Sequence, residues 1–177
     1  MRTLALLLLS VPCACLCGAE VESRVLTHYV PQDLLETAVR TEGWTEVPLA
    51  VKGGLRKGDT VRLWCGGSID RGNGEQPGEN VNGPEGIDDP KETKPAWALS
   101  SEAGHAYALL FKTDTGVKKA MPSGKPLEIK LTRDGEKVFV GFNDLRGRYH
   151  DNHLGKGRRH ERDPLWVRVE VVRTIVD

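Results

Sequence analysis

The chain has 177 residues, with 25 Lys and Arg against 25 Asp and Glu, 38% hydrophobic and 6% aromatic side chains, 20 Gly, 10 Pro and 4 Cys. That length holds one domain with a core large enough to stand without cross-links. A formal charge of zero excludes nucleic-acid binding through a broad cationic field, and points to a neutral partner.

Residues 1–19, MRTLALLLLSVPCACLCGA, place one Arg ahead of an apolar run from Leu4 and small residues at Gly18 and Ala19. This is the layout of a secretory signal peptide cleaved after Ala19. The run is shorter than the roughly 20 residues of a spanning helix, and Glu20 and Glu22 follow it. The expectation is a secreted or periplasmic protein with no membrane attachment after cleavage. The lipoprotein alternative acylates Cys13, Cys15 or Cys17, but the residues before them form no convincing lipobox. Cleavage leaves Cys65 alone, so no internal disulfide can form. In its setting TVRLWCGG, Cys65 reads as a small hydrophobe on a strand face. Residues 20–36 read as an N-terminal extension and residues 37–177 as a single domain.

In chain order, residues 31–40 predict the only helix, with Leu34, Leu35, Ala38 and Val39 at helical spacing. Residues 47–51 predict a strand. Val61, Leu63 and Cys65 then alternate with Arg62 and Trp64, the period-two pattern of a strand with one face buried. Residues 106–111 and 127–131 predict two more strands. Val138, Val140 and Phe142 alternate with Phe139 and Gly141, and Val167, Val169 and Val171 with Arg168 and Glu170 in a last strand over 166–176. Turn chemistry separates them: KGG at 52–54, RKGD at 56–59, PSGKP at 122–126 and RDGE at 133–136. Short alternating strands joined by Gly-rich turns predict an all-β fold, an antiparallel β-sandwich or jelly roll. Residues 66–95 form a long polar stretch rich in Gly and Pro, the composition of a binding loop or of a disordered one.

The chemistry gathers where the strand KVFVGFN runs into DLRGRYHDNHLGKG. Six residues including Gly147 separate Asp144 from the pair Asp151 and Asn152, so one bend can bring their oxygens together. Hard cations such as Ca²⁺ take six to eight oxygen ligands from carboxylates, amides and carbonyls on loops of this kind. The same residues are also common in solvated turns, where they hydrogen-bond locally.

The run GFNDLRGRYHDN, preceded in order by KGDTVRLWCGGSIDRG, NGPEG and YALLFK, resembles the PA-I-type (PA-IL-like) calcium-dependent galactose-binding lectin family, over roughly residues 38–172. The resemblance implies a small jelly-roll sandwich that binds carbohydrate through one loop-bound calcium ion, whose coordination two sugar hydroxyls complete. It implies Asp144, Asp151 and Asn152 as side-chain ligands, and Arg148 and Arg71 as ligands through their backbone carbonyls. Asp144 and Asp151 would also accept hydrogen bonds from the sugar, and the family implies a homo-oligomer. The chain departs from the family at three places. Asp151 stands where the family usually has an amide. The family's sugar-contacting His-Pro falls on EGIDDPKE, which aligns only Pro90 and carries no His. The closing loop is enlarged to HLGKGRRHERDP.

That enlarged loop opens a second reading, because His150, His153 and His160 flank Asp151 and imidazoles suit Zn²⁺ or Ni²⁺. Arg158, Arg159 and Arg162 read as a solvated basic face, or as contacts for a uronate or sulfate. Trp97 and Tyr149 are aromatic candidates for a sugar face. Enzyme readings find no GxSxG, no HExxH and no phosphate loop. Asp88 and Asp89 with Asp144 could be a glycosidase pair only if something fixed their separation. The expectation is a carbohydrate-binding domain with Ca²⁺ and without catalysis. The remaining alternative of another class is a structural or interaction domain that keeps only the scaffold.

Overall fold

A computed structural model describes residues 21–72, 80–87, 98–99, 106–116, 118–120, 125–154 and 163–176. Its strands are β1 (Val21–Tyr29), β2 (Thr45–Glu46), β3 (Thr60–Gly66), β4 (Ile69–Asp70), β5 (Val81–Asn82), β6 (Leu109–Thr113), β7 (Lys118–Ala120), β8 (Leu127–Lys130), β9 (Val138–Phe142), β10 (His153–Leu154) and β11 (Trp166–Val176), with one helix, α1 (Gln32–Arg40). Two four-stranded sheets, β1-β11-β3-β8 and β2-β9-β6-β7, and a small sheet β10-β4-β5 account for them. Every strand pair is antiparallel. The fold is all-β, as the alternation predicts.

The alternating residues explain the core. Val61 and Leu63 of β3, Leu127 and Ile129 of β8, and Val167, Val169 and Val171 of β11 form one buried cluster with Leu109 and Phe111 of β6 and Val138, Val140 and Phe142 of β9. Burying each such side chain contributes on the order of 1.5–3 kcal/mol. Leu35, Ala38 and Val39 of α1 are fully buried in the same cluster. Cys65 packs against it, and burial, with the charge of Glu85 behind it, pushes the thiol up to about 12. A thiol held neutral in this way is a packing group, as its strand position predicts.

Three departures from the predicted elements stand out, the first two with backbone causes. Residues 47–51 do not continue β2, although the Val47 N–H still reaches the Val138 carbonyl at 2.9 Å. Pro48 follows and has no N–H for the ladder. The strand expected over 106–111 begins only at Leu109, because Tyr107 takes φ 51°, a left-handed conformation that breaks an extended run. Lastly, the stretch read as an N-terminal extension contributes β1, which pairs with β11 from Val21 opposite Val176 to Tyr29 opposite Arg168. It is an edge strand, and Val25 and Tyr29 are more than half exposed. Residues 1–19, which the sequence reads as a signal peptide, lie outside the described residues.

Asp59, in the turn before β3, ties the end of β11 to this sheet. Its carboxylate accepts hydrogen bonds from Arg173 Nε at 2.9 Å and Nη2 at 2.6 Å and from the Arg56 N–H at 2.8 Å. Burial pushes the Asp59 carboxyl up, but those bonds and the charges of Arg173 and Arg56 outweigh it and hold the group below its ordinary value. Stability from a lowered carboxyl is present above the ordinary carboxylate range and is lost as pH falls through the folded value. Arg173→Ala strands a buried carboxylate and is expected to cost about 2–4 kcal/mol at neutral pH. Urea melts at neutral pH and in acid should show that deficit shrinking as the solution is acidified.

Candidate functional site

Past its last paired residue, β9 keeps its direction through Asn143, whose N–H donates to the Ala108 carbonyl at 2.9 Å. Asn143 returns its own carbonyl to the Tyr107 N–H at 3.0 Å, and its side-chain oxygen accepts from the Leu99 N–H at 3.1 Å. Asp144 therefore leaves the sheet at a fixed point. A turn closes by Arg148 N–H to the Leu145 carbonyl at 3.0 Å, with Gly147 at φ 75°, and a short 3₁₀ turn at Tyr149–Asp151 leads into Asn152 and β10.

The C-terminal end of α1 holds this loop from outside. Asn152 donates from its amide nitrogen to the Val39 carbonyl at 2.9 Å and to Asp144 Oδ2 at 2.8 Å. Glu42 accepts from the Gly147 N–H at 3.1 Å, and Arg40 donates to the His150 carbonyl at 3.1 Å. Both partners of the Asn152 amide nitrogen are acceptors, which decides which end of the amide is which. Its oxygen is then turned the other way.

That oxygen is the first of three. Asn152 Oδ1 and both carboxylate oxygens of Asp151 are buried and meet no hydrogen-bond donor among the described residues. A buried acceptor left without a partner costs roughly 1–3 kcal/mol, and more when charged, so three in two adjacent residues call for a cation or donor beyond the described residues. Asp70 Oδ2, on β4, is a fourth such atom. The loop after β4 presses on Asp151 directly. Gly72 has φ 67°, and a Cβ on it would fall 2.7 Å from the Asp151 Cβ and Cγ. Only a residue without a side chain lets the two loops approach this closely.

The sequence-predicted ligands are thus brought together. Asn152 binds Asp144, Asp151 abuts Gly72, and Arg71, Asp144 and Arg148 line one cavity of about 330 Å³ with Gly72, Asn80, Tyr107 and Leu145. Burial raises the Asp144 carboxyl above its ordinary value. Hydrogen bonds from Asn152 and the Leu145 N–H pull it down, the Asp151 charge pushes it further up, and the Arg71 charge pulls it down. Two carboxylates whose charges disfavour one another, beside an amide oxygen that meets no donor among the described residues, are oxygens of the kind a hard cation takes. Among the described residues no three His, Cys, Asp or Glu side chains stand together as a metal-holding group, so such a cation would rely on the amide and the carbonyls beside the two acids.

Two expectations need correction or restriction. Tyr149 offers no ring to a sugar, because it is only 4% exposed. Its hydroxyl donates to the Phe142 carbonyl at 2.9 Å and accepts from the Asp144 N–H at 3.3 Å, which makes it a pin beneath Asp144. The histidine site does not assemble among the described residues either: His153 Nδ1 lies 3.5 Å from Glu36 on α1, and His150 is exposed. His160, Arg158, Arg159, Arg162, Asp88, Asp89, Pro90 and Trp97 lie outside the described residues. Sequence reasoning missed Asn80 and Tyr107. Tyr107 had no signal in composition or period, because its conformation shows only in the backbone.

No protein-family model and no curated protein matches the chain. Among solved structures, one described as the EclA N-terminal domain, a PllA-like lectin, is 15% identical, covering 83% of this chain and 94% of that one, with a TM-score of 0.41. The reading of the site rests on the oxygens alone.

Gly72→Ala is expected to destabilise the protein by about 1–3 kcal/mol, since it adds both a left-handed strain and a clash with Asp151. Tyr149→Phe should cost about 1–2 kcal/mol through the lost hydrogen bond and the stranded Phe142 carbonyl. Chemical denaturation of the two variants against the parent chain measures both.

Proposed function

We propose that the chain is an exported, calcium-dependent carbohydrate-binding domain of the lectin kind that its sequence resembles. The observation that carries this reading is the trio of buried, donorless oxygens on Asp151 and Asn152, set beside Asp144 at the end of β9. Asp144, Asp151 and Asn152, with the carbonyls of Arg71 and Arg148, would hold the ion. A bound Ca²⁺ supplies open coordination positions that two neighbouring hydroxyls of a sugar can fill.

The chain's own residues do the rest. The Asn152 amide holds Asp144 Oδ2 while leaving its own oxygen free, so the acid is oriented before any ligand arrives. Tyr149 fixes the main chain at Asp144 from below. Asp144 and Asp151 would offer acceptors to sugar hydroxyls, and Gly72 lines the cavity beside Asp144. A galactose-type sugar is the ligand that the resemblance favours. The cavity of about 330 Å³ is at the small end of ligand sites. Single sugars would therefore bind weakly, and useful affinity would come from multivalent display by a homo-oligomer. Export through residues 1–19 would place the domain in a calcium-bearing, carbohydrate-rich space outside the cytoplasm.

Calcium titration followed by thermal melting tests the ion. At a hundredfold excess over Kd it should add about 2.7 kcal/mol of stability, reversed by EDTA. Asp151→Ala removes an uncompensated buried carboxylate, so the calcium-free variant should be as stable as the parent or about 1 kcal/mol more so, with the calcium response gone. A glycan array with and without chelator reads the sugar. A parent chain whose melting ignores calcium would leave only the scaffold.

A further inference from the structure

Arg71 and Arg148 were placed in the site for their backbone carbonyls, and both residues line the cavity. The Arg71 guanidinium lies over the Tyr107 ring, 4.0 Å from its centre, and its Nε donates to the Asn80 carbonyl at 3.2 Å. Asn80 is itself held, its amide nitrogen donating to the Gly72 carbonyl at 2.8 Å. Among the described residues the two terminal nitrogens of Arg71 meet no acceptor, and neither Arg71 nor Arg148 has a carboxylate within ion-pair reach. A stacked, one-side-anchored guanidinium has already lost most of the rotamer freedom that binding would cost it. It therefore presents a rigid pair of donors to the cavity.

The platform under it is a strained one. Tyr107 is the only non-glycine among the described residues with a positive φ, 51°. Its N–H is held by the Asn143 carbonyl at 3.0 Å and its carbonyl by the Asn82 amide nitrogen at 3.0 Å. Backbone strain of this kind persists where surrounding bonds over-determine the backbone, and it gathers at binding sites. Here it places a ring beneath a cation at the mouth of the cavity.

Charge bookkeeping then selects the ligand. The carboxylates of Asp144 and Asp151 balance one divalent cation, and Asp70 on β4 offsets one of the two charges of Arg71 and Arg148, which leaves one positive charge in excess. The zero net charge of the chain says nothing about this local surplus.

We propose that the preferred ligand is an anionic sugar, whose carboxylate or sulfate is received by the Arg71 and Arg148 guanidinium groups while its hydroxyls face Asp144 and Asp151. This rests on the calcium-site reading above and adds the sugar's charge to it. Guanidinium groups bind both oxyanions through paired N–H donors, so a uronate and a sulfate ester share the chemistry.

Isothermal titration of the full chain with calcium in excess tests this, using methyl galactoside, methyl galacturonoside and methyl galactoside 6-sulfate. The three share a ring and differ at one carbon. At least one anionic glycoside should bind roughly tenfold or more tighter than the neutral one, and the gain should shrink as salt is raised. Whichever anion shows the gain identifies the source. Arg71→Gln, which keeps the backbone carbonyl, should bring the anionic-to-neutral affinity ratio close to one, Arg148→Gln should lower it, and Arg71→Lys should retain part of it. Calcium-dependent melting of each variant verifies that the fold and ion site survive. Equal affinity for all three sugars overturns the charge preference and leaves the calcium reading standing. An unchanged ratio in both Gln variants overturns the assignment to these arginines. If no sugar binds although calcium raises the melting temperature, the charge preference and the sugar reading both fall.

Discussion

The Asn152 side chain is the constraint on which the rest of the site depends. Its amide nitrogen spans the carbonyl of Val39, at the end of α1, and the carboxylate of Asp144, at the end of β9. One buried group thereby locks a helix, a sheet strand and the loop between β9 and β10 into one arrangement. Because both its hydrogens are committed, its oxygen must face away from them, and among the described residues it meets no donor. A buried amide is worth keeping where both ends are satisfied, and a half-satisfied one is costly. The cost at this position is the ground on which a cation is proposed there.

The same loop shows how the fold supports a site made mostly of backbone and short side chains. Tyr149 fills the space beneath Asp144 with a ring and two hydrogen bonds, and Gly72 lets a second loop close to within contact of Asp151. Neither residue needs to touch a ligand. Glu42, just past α1, catches the Gly147 N–H, and Arg40 caps the His150 carbonyl. The helix is therefore a clamp for the loop as well as a cover for the core.

Electrostatics acts on two scales in this molecule. Over the whole chain the charges cancel, which removes long-range attraction for polyanions. In and beside the cavity, acids and arginines are held by different partners: Asp144 by Asn152 and the Leu145 N–H, Asp151 against the Gly72 main chain, and Arg71 on the Tyr107 ring. An arrangement of this kind cannot be read from a sum, since a local field depends on which charges face the same few ångströms of solvent.

The sequence by itself determined the fold class, the helix and the longer core strands, because period-two alternation at Val61–Cys65 and at 166–176 and the helical spacing over 31–40 report burial directly. It also singled out Asp144, Asp151 and Asn152, since oxygen side chains clustered on one strand exit are visible in one dimension. Only the tertiary structure decided what those groups do to one another. The two-residue strands β4, β5 and β10 are too short to carry a period, and β1 pairs along an edge where alternation is not enforced by burial. The burial of Tyr149, the contact of Gly72 with Asp151 and the stacking of Arg71 on Tyr107 join residues far apart in the chain or depend on a backbone angle. Their physical cause is packing between loops, and local sequence holds no record of which loop will meet which.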